Sequence, residues 1–120
     1  MLVECVPNFS EGQRPEVIHA IHAAIAGEAV HVLDVSSDVD HNRTVITFAG
    51  EPDAVVEAMF RGAQVAVAEV DLERHQGVHP RMGAVDVVPF VPLRDATLDD
   101  CVRLAEQLGE RVGAELGIPV

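Results

Sequence analysis

The 120-residue chain reads as one α+β domain, an antiparallel sheet with helices packed on it. Three observations predict this. Four short apolar runs, at 2–6, 30–35, 43–49 and 84–91, have strand character and are bounded by Pro, Gly, Asn and Asp. Three stretches with apolar residues at helical spacing open at Pro15, Pro52 and Thr97. The resulting order, β-α-β-β-α-β-α, contains two consecutive strands joined by a short polar loop, a connection that suits antiparallel pairing.

Leu2 to Val6 forms the first strand, stopped by Pro7 and a polar loop that contains Asn8, Ser10 and Gly12. Pro15 suits the first turn of a helix that runs to about Ala26, with Val17, Ile21 and Ile25 as its stripe, Ile18 beside it and Gly27 to end it. Val30 to Val35 and Arg43 to Ala49 are the second and third strands. Ser36 to Asn42 links them, a turn built from residues that bond their own backbone. Glu51, Pro52 and Asp53 open the second helix with acidic side chains at its positive end, and Val56, Met59, Phe60, Ala63, Val67 and Val70 give its face. Its alanines and Gly62 predict close packing. Ala84 to Val91 is the fourth strand. Thr97 with Asp100 resembles a capping box for a third helix, with Cys101, Ala105, Leu108 and Val112 on its face and Gly117 and Pro119 stopping it.

The first six elements make the βαββαβ order of a ferredoxin-like split β-α-β sandwich, with an additional C-terminal helix. Two helices then cover one sheet face. The other face is also expected to be covered, because the strands carry apolar residues at both parities, Ile46 and Phe48 against Val45 and Ala49. Helix three, a second subunit or a missing domain are the candidates for that cover. Ile118-Pro119-Val120 reads as a strand that begins and is cut off.

Composition excludes several functions. A net charge of −12 argues against nucleic acid and anionic membrane surfaces as partners. All eight basic side chains are arginine, so Schiff-base chemistry and lysine-dependent phosphate loops are excluded within this chain. Cys5 and Cys101 lack the spacing of a zinc or redox motif and read as buried thiols of a reducing compartment. Leu2 to Val6 is too short for a signal segment, and a cytoplasmic location is expected. The polar residues of the 36–42 turn lack the ligand order of a calcium loop, and His19 with His22 lacks a third ligand, so no metal is expected.

The candidate working loop is Gly77-Val78-His79-Pro80-Arg81-Met82-Gly83. Pro80 pushes His79 into extended backbone, which presents the imidazole outside any helix. Such a histidine beside an arginine suits a general acid or base, and Arg81 suits a carboxylate ligand. From the residues alone, this reading stands level with one in which His75 and His79 are polar loop residues. Their spacing of four suggests a zinc pair on a helix, which Gly77 and Pro80 interrupt. Asn42 beside Arg43 at a strand start suits the grip of a carboxylate.

Three separated motifs, Glu4-Cys5-Val6-Pro7-Asn8-Phe9-Ser10-Glu11-Gly12, Asp40-His41-Asn42-Arg43-Thr44 and His79-Pro80-Arg81-Met82-Gly83-Ala84, resemble the N-terminal subdomain of the glutamate formimidoyltransferase (formiminotransferase) family. The resemblance runs over essentially the whole chain. It implies transfer of the formimino group of N-formimino-L-glutamate to N5 of tetrahydrofolate, the co-substrate, in histidine breakdown and one-carbon metabolism. It also implies a ferredoxin-like subdomain and makes His79 the catalytic acid/base. Arg81, Asn42 and Arg43 are then expected to orient substrate carboxylates, and the loop with Asn8, Ser10 and Gly12 to line the pocket. Gln76 and Val78 stand where the family commonly has Lys and Glu. The family also has a second subdomain, so the chain is expected to act as half of an enzyme, in a homo-oligomer or with a separate chain. The alternative is a non-catalytic folate-binding or assembly module.

Overall fold

The computed structural model describes residues 1–27, 29–74, 85 and 88–116. The elements are β1 (Leu2–Cys5), β2 (Asn8–Phe9), α1 (Pro15–Ile25), β3 (Val30–Asp38), β4 (Arg43–Gly50), α2 (Pro52–Arg74), β5 (Phe90–Arg94) and α3 (Leu98–Arg111), which runs on into a π-helical turn at Val112–Leu116. All strand pairs are antiparallel. Strand β4 pairs with β3 on one side and with β1 and β2 on the other, while β5 flanks β1. With β2 taken as the continuation of β1, this is the strand order of a ferredoxin-like α+β fold.

Pro7 interrupts the first strand without ending it. Cys5 faces Phe48 and Asn8 faces Val45, so β1 and β2 share one register along β4. Proline lacks a donor but keeps its carbonyl, and Ile46 N–H donates to that oxygen across the gap at 3.3 Å. The second strand is longer than the Val30 to Val35 expected from its apolar run. Ser36, Ser37 and Asp38 join the ladder opposite Val45, Thr44 and Arg43, and the hydroxyls of Ser37 and Thr44 lie 2.9 Å apart. The turn shrinks to residues 39–42, closed at Asn42 with φ 51°.

Among the described residues the fourth strand is Phe90–Arg94, so it runs past the expected end at Val91. Val85 makes a bridge to Phe9, Val6 N–H donates to the Pro89 carbonyl, and the described ladder runs on from Phe90. Residues 84, 86 and 87 lie outside the described ones.

Helix α1 buries Val17, Ile21 and Ile25, as its period requires. Gly62 of α2 meets it so closely that a Cβ there would stand 2.8 Å from Ile25 Cγ1, and Arg61 Nε donates to the Ala24 carbonyl at 2.8 Å. Helix α3 has the full capping box between Thr97 and Asp100. It buries Cys101, Leu104 and Leu108 but leaves Ala105 exposed, because the stripe advances by three and then four residues. Gly117 to Val120, expected to stop this helix and begin a strand, lie outside the described residues.

The core lies between the sheet and the helices, with Val3, Cys5, Phe9, Ile46 and Phe48 fully buried from the sheet side. Helix α3 adds its buried residues to the same core, and the Arg111 guanidinium stacks 3.8 Å from the Phe60 ring of α2 while pairing with Glu57 at 2.7 Å. This settles one alternative. Helix three packs beside helix two, so it does not cover the other sheet face, on which Val91 remains exposed. No described helix is long and apolar enough to cross a membrane.

Candidate active site on the open sheet face

Cross-strand partners share a face, and side chains alternate along each strand. Because Val3, Cys5, Phe9, Thr44, Ile46 and Phe48 point toward the helices, Glu4, Asn8, Arg43, Val45, Thr47 and Ala49 belong to the open face. Asn8 stands opposite Val45, and on the far side of Val45 stands Ser36. Arg43 is two residues before Val45 on β4, diagonal to Asn8 and exposed. The open face thus brings together Asn8 and Arg43, two residues the sequence singled out for binding. The described chain resumes at Val85, which is bridged to Phe9, the immediate neighbour of Asn8.

Hydrogen bonds hold the loop after β2 on the β3–β4 hairpin, among them one that Gln13 Nε2 donates to the Val39 carbonyl at 3.1 Å. Gly12 N–H donates to Asn42 Oδ1 at 2.8 Å, and the Thr44 hydroxyl donates to the Glu11 carbonyl. Glu11 itself is fully buried. Its carboxylate accepts from Gln13 N–H at 3.2 Å and Arg14 N–H at 2.9 Å, and it pairs with the Arg14 guanidinium at 2.6 Å. Burial opposes ionisation here, but the hydrogen bonds from Arg14 and the two backbone donors outweigh it and hold the carboxyl below the usual range. The same contacts satisfy the backbone N–H groups of Gln13 and Arg14 just before α1, whose N-cap, Arg14, gives no side-chain cap.

Gly12 is required by space. A Cβ would stand 2.5 Å from both Arg43 N and the Asp38 carbonyl oxygen, between the two strands of the hairpin. Asn42 takes a left-handed backbone that asparagine tolerates, and its side-chain oxygen is engaged with Gly12. Both residues, expected on sequence grounds to bind substrate, therefore have a structural task in fixing the loop. Ser10, in the same loop, is partly buried.

His79 and Arg81, with the whole Gly77 to Gly83 stretch and His75, lie outside the described residues. Glu11, Thr44 and Glu4 were not singled out by sequence reasoning. Nothing local in the sequence marks Glu11, because the backbone N–H groups it accepts from, those of Gln13 and Arg14, lie before the helix and meet it only through the fold of the loop.

Neither cysteine offers a nucleophile. Cys5 and Cys101 are free and buried, and burial pushes both thiols up, away from the reactive thiolate. Among the described residues no three His, Cys, Asp or Glu side chains are grouped to hold a metal ion. At the hairpin tip, Asp38 pairs with His41 Nδ1 at 2.6 Å, and that hydrogen bond with the backbone donors lowers its carboxyl.

Comparison with known proteins agrees with this architecture. The profile of the formiminotransferase domain, N-terminal subdomain, matches residues 2–120. The chain is 53% identical over 120 residues to a glutamate formimidoyltransferase of Thermoplasma acidophilum, covering 99% of this chain and 40% of that protein. It is 54% identical to a formimidoyltransferase-cyclodeaminase of Sus scrofa, covering 99% of this chain and 22% of that protein. To a glutamate formimidoyltransferase of Streptococcus pyogenes serotype M1 it is 47% identical, with 99% and 40% covered. It therefore spans less than half the length of these relatives. The family match from residue 2 to residue 120 leads to one conclusion: the chain belongs to the formiminotransferase family, in the class of its N-terminal subdomain.

Proposed function

We propose that this chain carries the catalytic half of a formimino transfer from N-formimino-L-glutamate to N5 of tetrahydrofolate, with His79 as the acid/base. The observation that carries the reading is the family match over residues 2–120, with relatives named formimidoyltransferases at 47–54% identity. The chemistry fits the residues. N5 attacks the formimino carbon to give a tetrahedral adduct. A base takes the N5 proton, the C–N bond to glutamate breaks, and an acid protonates the departing glutamate nitrogen. One imidazole performs both proton transfers in turn, and no covalent enzyme intermediate is needed.

Arg81 and Arg43 supply the positive charge for substrate carboxylates in a chain that is otherwise strongly acidic. Asn8 lies on the face of Arg43, and Ser10 follows it in the loop that Gly12 and Asn42 hold in place. Tetrahydrofolate is a co-substrate in this reading, and no metal takes part. The open face calls for a second body over it, a second copy of the chain or a separate chain that completes the site. The two buried, unpaired thiols suit the reducing cytoplasm.

The test is release of glutamate from N-formimino-L-glutamate in the presence of tetrahydrofolate, run on the chain alone and with the protein encoded immediately downstream. His79→Ala is expected to lower the rate about 10²–10⁴-fold at an unchanged melting temperature. Transfer at the wild-type rate by His79→Ala would remove the assignment. Binding of tetrahydrofolate with no transfer in any combination would favour a non-catalytic folate-binding module instead.

A further inference from the structure

Glu4 stands in the middle of the open face. It lies on β1, an inner strand of the sheet, between Val3 and Cys5, both of which are fully buried on the helix side. Its neighbours in the same cross-strand row are Val91 on β5 and Ala49 on β4, with His31 on β3 beyond. The carboxylate is partly buried, and no described residue gives it a hydrogen bond or an ion pair.

An apolar side chain would pack equally well between Val91 and Ala49 and would avoid the desolvation cost of a charge. Ala49 raises only a methyl group beside it, itself 6% exposed, so a flat group would lie over this low row rather than in a pocket. What the carboxylate offers there is two acceptor oxygens in one plane.

We infer that Glu4 binds a planar N–C–N donor pair of a substrate, two N–H bonds on nitrogens that share one carbon, each donating to one carboxylate oxygen. The geometry is that of the fork between guanidinium and carboxylate. The inference rests on the formimino-transfer reading, and both substrates of that reaction carry the group. In N-formimino-L-glutamate it is the protonated amidine. In tetrahydrofolate it is ring N3–H with the 2-amino group.

The test is titration calorimetry of tetrahydrofolate and of N-formimino-L-glutamate, each separately, into the preparation used for the transfer assay. Wild type, Glu4→Gln and Ala49→Leu are compared. Glu4→Gln keeps size but loses the charge and one acceptor, so Kd for one ligand is expected to rise at least about tenfold, with the other ligand within about twofold. Weakening of the folate names the pterin as the source, and weakening of the other names the amidine. Ala49→Leu blocks the row without touching the carboxylate and should weaken the same ligand. It also decides the matter if Glu4→Gln fails to fold. Equal binding of both ligands by wild type and a folded Glu4→Gln overturns the inference and leaves the transfer reading standing. Binding of neither ligand by wild type overturns the transfer reading, and this inference with it.

Discussion

Replacing Gly12 by alanine tests how the β2–α1 loop is seated. The added Cβ would stand 2.5 Å from Arg43 N, 2.5 Å from the Asp38 carbonyl oxygen and 2.8 Å from the Arg43 carbonyl oxygen. All three are backbone atoms of paired strands, so none can rotate away, and the loop must lift from the hairpin. Overpacking of this kind costs about 1–3 kcal/mol. Losing the Gly12 N–H bond to Asn42 adds about 1 kcal/mol. The sum, about 2–4 kcal/mol, corresponds to a melting temperature lower by roughly 8–16 °C for a domain of this size. Gly27 is the matched control, since among the described residues a Cβ there meets only the end of the Arg61 side chain at 3.8 Å. Gly27→Ala should be neutral or stabilising by up to about 1 kcal/mol. Urea denaturation of the two variants beside wild type measures both values. A Gly12→Ala protein as stable as Gly27→Ala would show that the loop does not sit where the structure puts it.

Two further outcomes are expected. The folded Glu11 carboxyl is held below its ordinary range, so its contribution to stability is present above about pH 4.3, the unfolded value, and is lost as pH falls through the lower folded value. Acid unfolding followed by circular dichroism should therefore be shallower in Glu11→Gln, which starts less stable at neutral pH; parallel acid limbs would contradict the assignment. Thr97→Ala removes the capping box of α3 and should cost about 1 kcal/mol, and a midpoint in urea equal to that of wild type would show that the cap contributes nothing.

The fold was legible where a local pattern carries it. Val17, Ile21 and Ile25 announce α1 by period, and Thr97 with Asp100 announces the start of α3. Strand limits were less legible because they depend on partners distant in sequence. Nothing in Pro7 says that the strand resumes at Asn8, since the register comes from β4. Ser36 to Asp38 read as loop because small polar residues favour turns, yet their pairing with Arg43 to Val45 holds them in the ladder. Asn8 and Arg43 could be named from sequence as candidates, but it could not show that they share a face, because alternation gives parity and only pairing aligns the parities of different strands. Gly12 and Asn42 looked like binding residues, and the contact between them, thirty positions apart, is visible only in three dimensions.

The outer strands limit how the sheet can grow. Along β5, Val6 N–H meets the Pro89 carbonyl, and two-residue alternation then turns the nitrogen of Pro92 away from β1. The outer edge of β5 thus lacks a donor where an added strand would need one. On the other flank, β3 is bulged between Val32 and Asp34 and carries His31, Asp34 and Asp38, features that discourage edge-to-edge pairing. A further polypeptide therefore gains little by lengthening the ladder at either side. Broadside packing, onto the face where Glu4, Asn8 and Arg43 lie, is the approach that the two edges leave open.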